Sequence, residues 1–207
     1  MIYAKIVIFI FHCRIEKKRM DYAKEIAKQA RVLESRGYLT GIEGNISIID
    51  RENELIYITP SRRMKSFMRP EQICVVDRNG EKIAGTGRRS SEYFLHEAVY
   101  KAKPEAAAVV HSHCPYLTAY ALRYEDFVVP ETASLHAIFQ HFVCLPFGES
   151  GTHDIHKGIE DALKESQICL LGGHGVVCYS DSLEDAVGLL CAAEGLAKTM
   201  FIARLMK

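Results

Sequence analysis

The sequence carries no excess of charge: 26 Lys and Arg residues balance 26 Asp and Glu residues. A balanced chain has no general attraction for nucleic acid or for an anionic membrane surface, so we expect neither as a partner. CxxC pairs are also absent, although the chain has seven cysteines. A chain of 207 residues buries enough surface to fold without disulfide bonds. The scattered cysteines therefore predict reduced, buried thiols in a cytoplasmic protein.

Long hydrophobic runs are missing as well. The apolar run at residues 6–11 is followed by charged residues 16–19 and is far shorter than the roughly 20 residues of a membrane helix. No small-residue cleavage site follows it, which argues against a secretory signal. We expect residues 1–19 to be an N-terminal extension without a catalytic role. It forms a buried or edge strand, or else it lies upstream of a true start at Met20.

No internal repeat and no low-complexity linker divides the rest of the chain, so residues 20–207 are predicted to form a single domain. Hairpin signals such as Asn79-Gly80 connect most of the predicted strands. This pattern predicts an α/β (α+β-like) fold with a central, mostly antiparallel sheet flanked by helices. Helices are predicted from Asp21 to a stop at Gly37, from a Ser90 or Ser91 cap to Pro104, over 115–122, over 154–163 and from a Ser182 cap onward. Strands are predicted over 46–49, 55–59, 73–76, 82–84, 106–111, 168–171 and 176–179.

His111 and His113 follow an apolar, β-branched run and are two residues apart, so a strand would place both imidazoles on one face. Neutral imidazole nitrogens suit zinc and its first-row neighbours. His174, between two glycines, would complete a three-histidine site with an open position, as in catalytic zinc centres. A core histidine or a plain turn also explains each of them alone. The other histidines show no shared spacing: His12, His96, His136, His141, His153 and His156.

Ser90-Ser91-Glu92 stands before a predicted helix. Serine caps helices and glutamate favours the first turn, which by itself explains the segment. The same N-terminus and its two hydroxyls would also seat a phosphate. Glu92 beside that seat would serve as a general base if a metal and partial burial tune it.

Two further loops expose polar groups at strand ends, Gly44-Asn45 and Thr59-Pro60-Ser61. Either loop would contact an anion, and either is also a common turn. The basic residues after the second loop predict a solvated face, or else a rim that attracts phosphate. They are Arg62, Arg63, Lys65 and Arg69.

From about Asp21 to its end, the sequence resembles the class II aldolase/adducin head family, and most of all its zinc-dependent sugar-phosphate aldolases of the L-fuculose-phosphate aldolase type. Five segments carry the resemblance in order and spacing: GNIS (44–47), ITPS (58–61), SSE followed by a histidine (90–96), AVVHSH (108–113) and GHGVV (173–177).

The resemblance implies a homotetramer with active sites between subunits. It also implies cleavage of a ketose 1-phosphate to dihydroxyacetone phosphate and a small aldehyde, which is lactaldehyde when the substrate is L-fuculose 1-phosphate. Zinc would supply the Lewis acid, and another divalent first-row metal would serve as well. Glu92 would be the acid/base, and a fourth metal ligand when substrate is absent. The implied zinc ligands are His111, His113 and His174, and the implied phosphate site comprises Gly44, Asn45, Ser61, Arg62, Ser90 and Ser91.

The sequence departs from this family in two places. Arg62 stands where the aldolases carry glycine, and the segment 129–136 lacks the tyrosine that handles the aldehyde. Substitutes for that tyrosine lie nearby at Tyr116, Tyr120 and Tyr124.

Other chemistry within the superfamily stays open: pentulose-phosphate epimerase, methylthioribulose-phosphate dehydratase or sugar-acid phosphate decarboxylase. The Ser-Ser-Glu sequence resembles the aldolases more than the dehydratases, which have Pro-Ser-Ala-Glu. A non-catalytic, adducin-like scaffold is the alternative from another class, but a scaffold has no use for three metal-binding histidines and Glu92.

Overall fold

A computed structural model describes the backbone of residues 2–131, 134–138 and 140–206, and the side chains of 18–131, 136–138 and 140–206. The strands are β1 (Asn45–Asp50), β2 (Leu55–Ile58), β3 (Cys74–Val76), β4 (Lys82–Ala84), β5 (Ala108–Ser112), β6 (Phe127–Val128), β7 (His141–Phe142), β8 (Cys144–Leu145), β9 (Ile168–Leu171) and β10 (Gly175–Ser180). Eight of them form the main sheet, in the order β4-β3-β2-β1-β5-β10-β9-β8, and β6 and β7 pair separately. Every neighbouring pair of the main sheet is antiparallel except β8 and β9, which are parallel.

Helices cover both faces of this sheet. They are α1 (Ile2–Ser35), α2 (Tyr93–Ala102), α3 (Pro115–Leu122), α4 (Ile159–Ala162) and α5 (Leu183–Leu205). Residues of α1, α3 and α5 share one buried apolar cluster with Ala108 and Val110 of β5. Residues of α2 and α4 share a second cluster with Val109. The side chains of β5 thus alternate between two cores, one on each face of the sheet. The helices on both faces and the mostly antiparallel strand pairing confirm the predicted mixed α/β fold.

The first helix is much longer than predicted. Residues 2–19 were expected to form a buried or edge strand, but they continue helix α1, which runs from Ile2 to Ser35. No glycine or proline interrupts the chain before Gly37, and an established helix propagates at little cost until a breaker stops it. Asp21 therefore lies inside the helix rather than at its cap. The stop at Gly37 is confirmed, with φ of +74°.

Two other predicted helices have different limits. Helix α2 begins at Tyr93, and its N-cap residue is Glu92, not Ser90 or Ser91. The predicted helix over 154–163 is broken at Gly158, whose φ is +87°. The chain there forms a 3-10 turn, His153–His156, followed by the single turn α4. The cap at Ser182 is confirmed, since its side chain accepts a hydrogen bond from the N–H of Asp185.

Helix α5 is long and apolar enough to cross a membrane by length and composition alone, a test that core helices of soluble proteins also pass. Its residues Leu183, Ala186 and Leu190 lie in the core beside the sheet. The described cysteines are free thiols. Cys74, Cys114, Cys169 and Cys178 are buried as expected, whereas Cys144 and Cys191 are half-buried.

Candidate active site

The pairing of three strands places the site. Asn45 of β1 lies opposite His111 of β5, and Val177 of β10 lies opposite the other side of His111. Side chains at directly paired positions point to the same face of a sheet. Helix α2 covers that face and shares its core with Val109 and Val177. The loop that enters α2 therefore delivers Glu92 to the end of β5.

His111 is fully buried, and the protonation of its ring is set by the neighbouring strand. Its Nδ1 atom lies 3.0 Å from the carbonyl oxygen of Val176. A carbonyl only accepts, so Nδ1 carries the proton and the Nε2 lone pair faces the site. Burial, offset in part by Glu92, lowers the pKa of His111 to about 4, so the ring is neutral at neutral pH.

The other two histidines bring their ring nitrogens to the same point. His113 Nε2 lies 3.0 Å from His111 Nε2, and His174 Nε2 lies 3.1 Å from it. His113 follows the end of β5, while His174 stands in the turn between β9 and β10. Gly173 precedes His174 with φ of +70°, a conformation that glycine adopts without strain.

Glu92 closes the fourth side of this cluster. Its Oε1 atom lies 2.9 Å from His174 Nε2, and its Oε2 atom lies 3.3 Å from His111 Nε2. Burial raises the pKa of the Glu92 carboxyl, but His111, His174 and Asn45 outweigh burial and hold that pKa well below its usual range. Glu92 is therefore a carboxylate at neutral pH. These contacts also explain why its side chain does not cap α2.

The donor set fits a metal ion. The ring nitrogens of His111, His113 and His174 all lie within 4.8 Å of one another. Two imidazole ligands about 2.0–2.1 Å from a tetrahedral zinc would be separated by about 3.3 Å, close to the spacings found here. Because the His111 lone pair faces both partners, a cation between the rings satisfies all three nitrogens. The three histidines can hold a metal ion, with the Glu92 carboxylate available as a further ligand.

A cavity of about 310 Å³ opens beside the histidines. Every residue predicted for the phosphate site lines it, together with Glu92, His113 and His174; the phosphate candidates are Gly44, Asn45, Ser61, Arg62, Ser90 and Ser91. Gly44 has φ of +69°, and a Cβ there would lie 2.9 Å from the carbonyl oxygen of His111. Only glycine allows this approach of the loop to β5.

Sequence patterns missed two residues at this site. Ser150 lies far from the motifs in sequence, yet its hydroxyl donates to Glu92 Oε1 across 2.8 Å. Glu43 brings Oε2 within 3.6 Å of His113 Nδ1, a carboxylate placed to orient a metal-binding histidine. Nothing in the sequence around Ser150 distinguishes it from an ordinary loop serine.

The remaining candidate residues lie in different surroundings. Lys65 was expected on a solvated basic face, but it is only 1% exposed, and its ammonium donates to the Glu43 carbonyl oxygen across 2.8 Å. Burial lowers the pKa of Lys65 to about 8. His153 and His156 approach each other to 3.3 Å outside the metal cluster. The side chain of His12 and positions 132–133, within the segment 129–136, lie outside the described residues.

The tyrosines proposed as substitutes differ in position. Tyr124 is 56% exposed, and its hydroxyl lies 2.6 Å from where a Cβ on Gly173 would stand, next to His174. Tyr120 is buried against Phe127, and Tyr116 packs against Phe201. Tyr124 is thus the one of these three that lies beside the turn carrying His174.

A triad of histidines, an ionised glutamate and an adjoining polar cavity define a metal-dependent enzyme on an α/β scaffold. A family model described as "Class II Aldolase and Adducin N-terminal domain" matches residues 24–201. The chain belongs to this family, and it is an enzyme of the class II aldolase type, a lyase.

Curated relatives support this assignment. The chain is 32% identical over 182 residues to a 5-methylthioribulose-1-phosphate/5-deoxyribulose-1-phosphate aldolase of Escherichia coli, covering 87% of this chain and 83% of that protein. It is 30% identical to an L-fuculose phosphate aldolase of Methanococcus maripaludis, with coverage of 88% and 98%. A 3-oxo-tetronate 4-phosphate decarboxylase of Escherichia coli is 27% identical, with coverage of 90% and 89%.

The fold agrees with that of a solved L-fuculose 1-phosphate aldolase. The TM-score is 0.82 at 26% sequence identity, and the match covers 89% of this chain and 86% of that one.

Proposed function

We propose that this chain is a zinc-dependent aldolase that cleaves a ketose 1-phosphate resembling L-fuculose 1-phosphate. The products are dihydroxyacetone phosphate and a small aldehyde such as lactaldehyde. The single observation that carries the proposal is the approach of Glu92 to His111 and His174 at the edge of a polar cavity. A metal and an acid/base group meet there beside candidate phosphate contacts.

The residues of the chain have separate tasks in this reaction. His111, His113 and His174 hold the zinc ion, or another divalent first-row metal, which supplies Lewis-acid stabilisation of negative charge beside the ketone. Glu92 transfers a proton at the carbon where that charge develops. Its lowered pKa keeps it in the ionised form, which is the form that accepts a proton.

The cavity walls position the substrate. Ser90 and Ser91 offer hydroxyls just before α2, and Gly44, Asn45, Ser61 and Arg62 line the same cavity. A phosphate held there places the scissile carbon–carbon bond beside Glu92, so binding energy lowers the entropic part of the barrier. Arg62 adds a cation where the resembling aldolases have glycine.

A second sugar phosphate is a candidate substrate. A 5-deoxyribulose 1-phosphate differs from L-fuculose 1-phosphate beyond the cleaved bond, and the Escherichia coli relative at 32% identity is named for that substrate. Both substrates yield dihydroxyacetone phosphate. Decarboxylation of a sugar-acid phosphate is the other alternative, and the relative at 27% identity is named for it. Loss of carbon dioxide from 3-oxo-tetronate 4-phosphate also leaves dihydroxyacetone phosphate, but it releases no aldehyde.

The test is a product assay. Zinc-loaded protein is incubated with L-fuculose 1-phosphate and, separately, with 5-deoxyribulose 1-phosphate, and dihydroxyacetone phosphate is measured with a coupled dehydrogenase. We expect release from at least one substrate and a loss of about 10²- to 10⁴-fold in Glu92→Gln, the range for removal of a general acid/base. Release of carbon dioxide and dihydroxyacetone phosphate from 3-oxo-tetronate 4-phosphate, with no dihydroxyacetone phosphate from either ketose 1-phosphate, would replace the aldolase by a decarboxylase.

Assembly and location follow the same family pattern in our proposal. We infer a cytoplasmic homotetramer with active sites between subunits, acting on small sugar phosphates and not on nucleic acid or membranes. Residues 20–207 would form the single aldolase-like domain, with residues 1–19 as an extension of α1 outside it. Light scattering of the purified chain tests the tetramer, and a chain beginning at Met20 with unchanged activity would support the domain boundary.

A further inference from the structure

A chain of hydrogen bonds runs behind Glu92 into the core. The Tyr100 hydroxyl lies 2.7 Å from the Ser47 hydroxyl, which lies 2.6 Å from His96 Nδ1. His96 Nε2 contacts Asn45 Oδ1, and Asn45 Nδ2 donates to Glu92 Oε2 across 2.6 Å. Each of these five residues is at most 7% exposed. The chain therefore connects the active-site carboxylate to a group that water does not reach.

The chemistry of the groups determines which atom donates and which accepts in each of these hydrogen bonds. Glu92 is a carboxylate and only accepts, so Asn45 must turn its NH₂ toward it and its carbonyl oxygen toward His96. His96 then donates from Nε2. Burial lowers the pKa of His96 to about 3, so its ring is neutral and Nδ1 is left to accept from Ser47. The Ser47 oxygen in turn accepts from the Tyr100 hydroxyl.

Spacing along the helix and the strand produces this alignment. Glu92, His96 and Tyr100 are four residues apart, which places them in a row along one side of α2, from its N-cap to its last turn. Asn45 and Ser47 are two apart on β1, on one face of the sheet. The side chains of the two rows alternate along the series of hydrogen bonds.

We propose that His96 is a positioning residue for the reaction: by donating from Nε2 to Asn45, it locks the amide in the orientation that presents NH₂ to Glu92. This inference rests on the proposed function in one respect, the role of Glu92 as the acid/base. Without His96, the Asn45 carbonyl oxygen loses its buried donor, and the amide is held only at its other end, by Glu92. Glu92 would then leave the position it holds between His111 and His174.

A purely structural histidine would fill the same space and satisfy buried polar groups without affecting the reaction. Two properties distinguish the positioning role. The ring must be neutral and protonated at Nε2, and the effect of His96 on turnover must pass through Asn45. Each property has its own measurement.

The first measurement is spectroscopic. Zinc-loaded wild-type protein labelled with ¹⁵N-histidine is studied by solid-state NMR, and the His96 signals are assigned as those missing from His96→Gln. We expect one protonated nitrogen at Nε2 and an unprotonated Nδ1 throughout the neutral pH range. A ring protonated at Nδ1, or at both nitrogens, would overturn the proposal, because Asn45 would then face no fixed donor or Ser47 no acceptor.

The second measurement is a double-mutant cycle in kcat, with the bound metal of each variant determined. His96→Leu should lower kcat by about 10- to 100-fold, the usual effect of losing a group that orients a metal-site residue, with little change in KM. His96→Gln keeps an N–H donor for Asn45 and should recover most of kcat. In an Asn45→Ala background, His96→Leu should cause no further loss.

Additive losses in the cycle, or equal losses in His96→Leu and His96→Gln, would overturn the positioning role. If His96→Leu does not fold, the spectrum of the wild type and the kinetics of His96→Gln still decide. If the protein shows the expected tautomer but cleaves no ketose 1-phosphate, the proposed substrate is wrong and the assigned orientation of Asn45 stands. If it cleaves the substrate but shows the other tautomer, the proposed function stands and the positioning role of His96 is wrong.

Discussion

The ring of His111 donates from Nδ1 to the carbonyl oxygen of Val176 across 3.0 Å. His111 of β5 lies opposite Val177 of the adjacent antiparallel strand β10, and Val176 precedes that register partner. The sheet itself thus selects the tautomer that leaves Nε2 free for a metal ion. A slip of one residue in this pairing would turn the imidazole to the opposite core.

Replacement of this residue tests the metal site directly. His111→Ala should lose both stoichiometric metal and product release, since it removes a ligand and leaves His113 and His174 without a central partner. We expect metal affinity to fall by more than the roughly 10- to 100-fold typical of an outer partner. Elemental analysis measures it, with His156→Ala as the matched control. Full activity without bound metal would disprove the assignment.

Ser150→Ala removes the hydroxyl that donates to Glu92 Oε1 across 2.8 Å. A hydrogen bond to a charged group contributes about 1.5 kcal/mol at the lower end, and this corresponds to about a tenfold change in rate. We expect kcat to fall by about that factor. Ser150→Thr keeps the hydroxyl and should retain activity. Equal kcat values for the alanine variant and the wild type would show that Ser150 does not support Glu92.

Arg62 contributes both a strained backbone conformation and a positive charge at the cavity, and its replacement by glycine affects stability and substrate binding differently. Its φ is +53°, in the left-handed region, where a non-glycine residue costs about 1–2 kcal/mol. Arg62→Gly relieves this strain, offset by about 0.5–1 kcal/mol for the greater freedom of glycine in the unfolded chain. The variant should therefore unfold at the same or slightly higher temperature while its KM for the sugar phosphate rises.

Arg63→Gly is the matched control for Arg62, because it removes a neighbouring exposed cation that neither lines the cavity nor has a positive φ. It should lower the melting temperature and leave KM unchanged. If both variants raise KM equally, the rim acts through its net charge and not through Arg62 itself.

The buried His96 predicts a stability that depends on pH. Burial lowers its pKa from 6.5 to about 3, so between these values the unfolded chain binds a proton that the folded chain excludes. The stabilisation from the neutral ring is complete above pH 6.5 and is lost as the pH falls toward 3. Urea titrations should show the wild-type free energy of unfolding falling more steeply than that of His96→Gln, by up to about 1.4 kcal/mol per pH unit. Parallel curves would mean that His96 is charged in the folded state.

Local signals predicted much of the fold. Hairpins, glycine stops and apolar runs indicated the main strands and the mostly antiparallel sheet, and the structure confirms them. The predictions were wrong where the length of a helix depended on the residues around the predicted segment. Residues 2–19 joined α1 because no breaker separates them from it, and the segment 153–162 broke because Gly158 takes a positive φ.

The sequence by itself determined the inventory of the site: His111 and His113 with the spacing of a strand, His174 between glycines, and Ser90-Ser91-Glu92 before a helix. Only the tertiary structure decided what these residues touch. It turned the Glu92 side chain toward the histidines and made Lys65 a buried cation. It also set Ser150 against the carboxylate and linked His96 to that carboxylate through Asn45. Such contacts join residues about 20 to 80 positions apart. No local pattern encodes them, because they arise only when the register of β1, β5 and β10 and the packing of α2 against the sheet bring these residues together.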